Sequence, residues 1–247
     1  VIKLGLYAYS YDVLDRYGFF AGGALNKKLE RDLFFVFDYR NKVPGLFQLG
    51  LEPTVSFEVY NITRRANNTL SLREDFNIPV DIIYNLLEFD VSFKHKIFIP
   101  GLNLELRYAH NRYNADIESF TLQDTLVGGP KFLISSYGTT YLKGNSISLN
   151  LKFDGIHPSR TQEINPVGRK INLRYEFEFS NFNPKDTLIK GSIVSLYEKI
   201  RFHRLELGWR ESIKLPAWKH TLSAHLRGGT IFGPPVDNFF NFYIGGL

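Results

Sequence analysis

Cysteine and methionine are both missing from this chain of 247 residues, and tryptophan occurs only twice. Without cysteine there are no disulfides and no thiolate metal sites. Long apolar runs are missing too, since nothing approaches the roughly 20 residues that a transmembrane helix needs. A membrane-crossing sheet would escape that test, because half of each of its strands is polar. No signal peptide precedes the opening VIKLGLYAYS, so the chain reads as a mature piece whose upstream part is missing. The six histidines, His95, His110, His157, His203, His220 and His225, show no HExxH or comparable metal spacing. There is no GxSxG elbow, and neither Gly22-Gly23 nor Gly128-Gly129-Pro130 sits in a phosphate-loop context. No catalytic residue, cofactor or metal is expected, and the chain does not read as an enzyme.

What the sequence has in quantity is aromatic residues, 22 Phe and 14 Tyr, which suit strands and interfacial girdles. The clearest stretch is residues 170–180, KINLRYEFEFS. Ile171, Leu173, Tyr175, Phe177 and Phe179 fall on one face of a strand, while Lys170, Asn172, Arg174, Glu176, Glu178 and Ser180 fall on the other. Two environments suit such a strand. A soluble sandwich packs the apolar face inward, whereas a transmembrane barrel turns it to lipid and lines a lumen with the charges. The formal net charge is +5. It is dispersed, which reads as a solvated surface more than as contact with anionic headgroups. Nucleic-acid binding is not expected, because the aromatics lie on apolar faces opposite the charges.

Alternation predicts strands at 2–9, 17–25, 33–39, 43–51 (weaker), 55–59, 87–93, 102–108, 147–153, 170–180, 204–215 and 220–232, with a local strand within 131–141. That makes about eleven strands of bilayer-crossing length in one domain, residues 1–247. The Gly22-Gly23 pair predicts a bulge or a close approach. Residues 63–77, 114–144 and 181–199 read as long polar connections. Short ones at 26–30, 52–53, 99–101 and 216–218 alternate with them, and 157–168 breaks the rule by being long. Alternating loop length is a barrel trait. It places the N-terminus and the turns at 99–101 and 216–218 at a periplasmic end and the long connections outside. Glu176 and Glu178, offset by Arg174, Arg204 and Arg210, read as lumen charges rather than as an acid/base pair. Glu211 falls in the apolar phase of its strand, which requires either a rim position or a bulge.

The tail VDNFFNFYIGGL follows a strand ending in Arg227-Gly228-Gly229. It resembles the bacterial surface-antigen family of outer-membrane barrels, to which BamA-like insertases and two-partner secretion transporters belong. In that family an aromatic segment close to Asn-Phe-Tyr-x-Gly-Gly opens a long loop that folds into the lumen, and Asn241, Phe242, Tyr243, Gly245 and Gly246 match it. Residues 165–179 resemble the family's turn into a mid-barrel strand. The resemblance implies an antiparallel up-and-down transmembrane β-barrel of about sixteen strands, of which this chain holds about eleven. It also implies a place in the bacterial outer membrane, among lipid and lipopolysaccharide. The expected partners are unfolded or partner polypeptides and accessory periplasmic or outer-membrane proteins. Its mechanism would be strand pairing at the barrel edge, with Ile2, Leu4, Leu6 and Ala8 on the edge strand. A passive porin or transporter with a charged lumen, a rim enzyme and a soluble β-protein are the alternatives.

Overall fold

The computed structural model of the chain describes residues 2–73, 76–97, 99–123, 131–158, 163–184, 186–189, 192–216, 220–237 and 240–241. Its strands are β1 (Leu4–Tyr11), β2 (Tyr17–Leu25), β3 (Arg31–Tyr39), β4 (Thr54–Arg73), β5 (Phe76–Lys96), β6 (Leu102–Ile117) and β7 (Phe120–Gln123), then β8 (Lys131–Ile134), β9 (Tyr137–Ile156), β10 (Gly168–Phe182), β11 (Asp186–Ile189), β12 (Ser192–Ser195), β13 (Glu198–Lys214) and β14 (Thr221–Phe232). Ten of them form one antiparallel sheet in the order β1-β2-β3-β4-β5-β6-β9-β10-β13-β14, and β7–β8 and β11–β12 are separate small hairpins. The fold is all-β, and the main sheet meanders up and down. Among the described residues β1 and β14 have one ladder partner each, so the sheet has two open edges.

The sheet is inside-out relative to a soluble domain. Ile147, Tyr175 and Leu207 are 44%, 40% and 48% exposed, whereas Ser56, Asp90 and Ser148 on the opposite face are 0%, 0% and 2% exposed. A flat single sheet would expose both faces alike, so this one curls around its polar face. Pairing register carries one apolar row across the convex side: Phe19, Phe37, Phe57, Val91, Tyr108, Ile147, Phe177, His203 and Phe232. No second sheet covers that row among the described residues.

The strand between 43 and 51 does not form. Gly45 and Gly50 adopt φ of 85° and 72°, which only glycine tolerates freely, and Phe47–Leu49 coils into one 3-10 turn. Losing that strand reverses the direction of everything before it. The described residues of 12–16, 40–53, 97–101, 157–167 and 215–220 now share one end of the sheet, the turn end. The first residues and the 26–30 turn lie at the other, with the extended β4–β5 hairpin and both small hairpins. The expected grouping of the N-terminus with the turns at 99–101 and 216–218 is therefore wrong. So is the reading of 63–77 as a connection: its described residues continue β4 and open β5. Edge strand β1 begins at Leu4, after Ile2. The Gly22-Gly23 pair makes no bulge. It makes a close approach, since a Cβ on Gly22 would lie 2.6 Å from the Phe34 ring.

Candidate functional site

The polar concave face is built by register. Asp38, Ser56, Ser92, Arg107, Ser148, Glu176 and Arg204 occupy one row across seven strands, β3 to β13. Small serines between long charged residues leave room for the latter to lie against the sheet. Arg107 donates to Glu88 at 3.0 Å and also to Asp90. Ser56 donates to Asp38 at 2.6 Å, and Lys94 donates to Ser56 at 3.3 Å. A carboxylate buried without a cation is costly, and Arg107 meets that need for Asp90.

The expected lumen residues gather here in part. Glu176 is buried, with Arg174 at 3.1 Å and Arg204 at 3.5 Å. Glu178 is buried and accepts from Ser180. Arg210 shares their face but lies towards the turn end, opposite Lys170. There it lines a cavity of about 860 Å³ with Lys152, Lys170, Arg227, Asp154 and Glu206. Glu211 keeps strict phase on the convex face at the turn end, where Arg169 at 3.3 Å and the Trp209 indole N–H at 3.1 Å hold it.

Towards the hairpin end the concave face turns apolar. Phe202, Phe182, Leu142 and Phe240 form its buried cluster, with Tyr113, Tyr141, Ile200, Ile231 and Val236 against it. The chain leaves β14 through Gly233 at φ 127° and returns inside. The Phe240 ring stands 5.2 Å from Phe202 and 5.5 Å from Phe182, centroid to centroid. Arg204 donates to the Phe240 carbonyl at 2.9 Å. Asn241 is exposed. Phe242, Tyr243, Gly245 and Gly246 lie outside the described residues. Sequence reasoning missed Phe202, Phe182 and Gly233. The signal was there: Phe202 occupies the polar phase of its strand, beside Arg204 and Glu206.

The edge residues Leu4, Leu6 and Ala8 sit on β1, all exposed and paired on one side only, with Leu25, Gly23 and Ala21. Among the described residues no group of three or more His, Asp or Glu side chains gathers in a metal-holding arrangement. No family model, no curated protein and no solved structure matches the chain.

Proposed function

We propose that this chain forms the wall of a transmembrane β-barrel of the bacterial outer membrane and that the barrel inserts or translocates polypeptides by strand pairing at its edge. The inverted burial carries the membrane reading: a broad exposed apolar face backs onto a buried, ion-paired polar one, the arrangement a lipid-facing barrel requires. Residues 171–179 span about 27 Å at about 3.4 Å per residue, which suits an apolar band of about 25 Å in tilted strands. Tyrosines within the band have polar partners, Tyr108 donating to Asn145 at 2.9 Å and Tyr175 bonded to His203 at 2.7 Å, so their hydroxyls do not meet lipid bare. Phe240, packed inside the curl, supports the inward-folding tail that the surface-antigen resemblance implies.

Edge β1 supports the pairing step. LGLYAYSY has no charge, no proline and no bulge, the devices that normally block an edge. Successive backbone N–H groups on a strand point to opposite sides. Proline at Gly5 and Tyr7 therefore removes donors on one side, and proline at Leu6 and Ala8 removes them on the other. One pair breaks the β1–β2 ladder. The other leaves the sheet intact and should abolish insertion of a nascent outer-membrane protein in proteoliposomes. Full activity in the folded variant would contradict strand pairing. The cavity lined by Lys152, Lys170 and Arg210 favours a second reading, a passive channel. That reading predicts steady, anion-selective conductance in planar bilayers without any polypeptide substrate.

A further inference from the structure

The basic residues are dispersed in the sequence, but the ladder collects some of them. Arg112 on β6 stands directly opposite Lys143 on β9, Lys143 opposite Asn181 on β10, and Asn181 opposite Lys199 on β13. Arg201 follows two residues later on the same face as Lys199, opposite Phe179. All four cations are exposed. They share the phase of the convex apolar face and lie just past its hairpin-end border, beyond Tyr108, Ile147 and Phe177. Like charges directly across a ladder repel. Among the described residues, no carboxylate pairs with any of the four. Arg112 donates to Asn114 and Thr140, and Lys143 lies 4.4 Å from the Tyr197 ring centre. The opposite border differs. There the convex row Gly155, Arg169, Glu211, Ala224 carries one cation and one anion, bonded to each other.

We infer that Arg112, Lys143, Lys199 and Arg201 form a docking band for the phosphate groups of an anionic lipid leaflet at the hairpin end of the sheet. The inference rests on the membrane reading above and adds to it an orientation and a lipid chemistry. An apolar belt bordered on one side by unpaired cations and on the other by a neutral pair matches a bilayer whose two surfaces differ in charge. Phosphates between Arg112 and Lys143 supply the counter-charge that the ladder withholds.

The test compares thermal unfolding of the chain in vesicles of phosphatidylcholine alone with vesicles containing added phosphatidylglycerol, at low and high salt. Each cation near an anionic surface is worth about fivefold in binding, so phosphatidylglycerol should raise the midpoint at low salt. High salt should erase the rise by screening. The variant with Arg112→Gln, Lys143→Gln, Lys199→Gln and Arg201→Gln should lose most of it, and the milder R112Q/K143Q pair part of it. A Lys42→Gln, Lys214→Gln control, with both lysines exposed at the turn end, should retain it. Insertion with no response to headgroup charge, or an equal response in the quadruple variant and the wild type, overturns the band alone. Failure of the wild type to enter either bilayer overturns the membrane reading and the band with it.

Discussion

Two glycines at the turn end show how position decides the cost of a side chain. Gly45 and Gly101 both adopt positive φ, 85° and 83°. Around Gly45 there is open space, whereas a Cβ on Gly101 would run into the carbonyl oxygen of Asp154. Asp154 and Gly101 are also joined by the Asp154 N–H donating to the Gly101 carbonyl at 2.8 Å, so the turn at 99–101 is fastened to the end of β9. Gly45→Ala should cost about 1–2 kcal/mol from the left-handed backbone alone. Gly101→Ala should add a further ~1–3 kcal/mol as β9 is pushed aside. Urea unfolding in detergent micelles measures both, and equal losses would show that the turn at 99–101 yields freely. The tight turn at 99–101 was legible from Ile-Pro-Gly. Its attachment to β9 was not, because a long-range backbone contact leaves no local pattern.

At the scale of elements, legibility followed the environment of each strand. β10 and the β5–β6 and β13–β14 hairpins could be read directly, because one face of each is apolar and the other polar. The outer halves of β4 and β5 could not. Asn61, Thr63, Arg65 and Asn85 are polar in the phase that is apolar lower down, so alternation fades although pairing continues. Residues 43–51 failed in the opposite way, with an apolar pattern overruled by two glycines. The 26–30 turn hid a different device. Leu29 takes φ 61° with no glycine to announce it. The Asn26 side chain caps the turn by accepting from Lys28 and Glu30 N–H at 2.8 and 3.0 Å. The Glu30 carboxylate accepts the Arg65 backbone N–H at 2.8 Å, and Asn26 donates to it as well. These bonds, that from Arg65 foremost, hold its pKa below the usual carboxylate value. Because the folded value is depressed, its contribution is complete above the ordinary glutamate range and disappears as pH falls through the depressed value. Protection of the Arg65 amide against hydrogen exchange should therefore hold down to the ordinary glutamate range and drop below it. In Glu30→Gln it should be low and flat with pH. A wild-type protection factor that is constant into strong acid would remove Glu30 from this role.

For the whole molecule, the alternation in residues 170–180 foretold the two-faced sheet but left open which face turns outward. The open side shows only in the assembled sheet, whose ten strands curl around Ser, Asp, Glu and Arg over most of their length and around Leu142, Phe182 and Phe202 only at the hairpin end. Charge distribution was hidden for the same reason, since the ladder brings together residues far apart in the chain. The central claim, that the convex face meets lipid, has a built-in reporter. Trp209 stands 41% exposed on that face, in register with Ile171 and Leu226, and replacing Trp218 by Phe leaves it the sole tryptophan. The W218F chain should be reconstituted into vesicles of lipids brominated along their acyl chains. Blue-shifted Trp209 emission, strongly quenched by the bromines and insensitive to aqueous iodide, is the predicted result. Emission unaffected by bromine and quenched by iodide would contradict the claim.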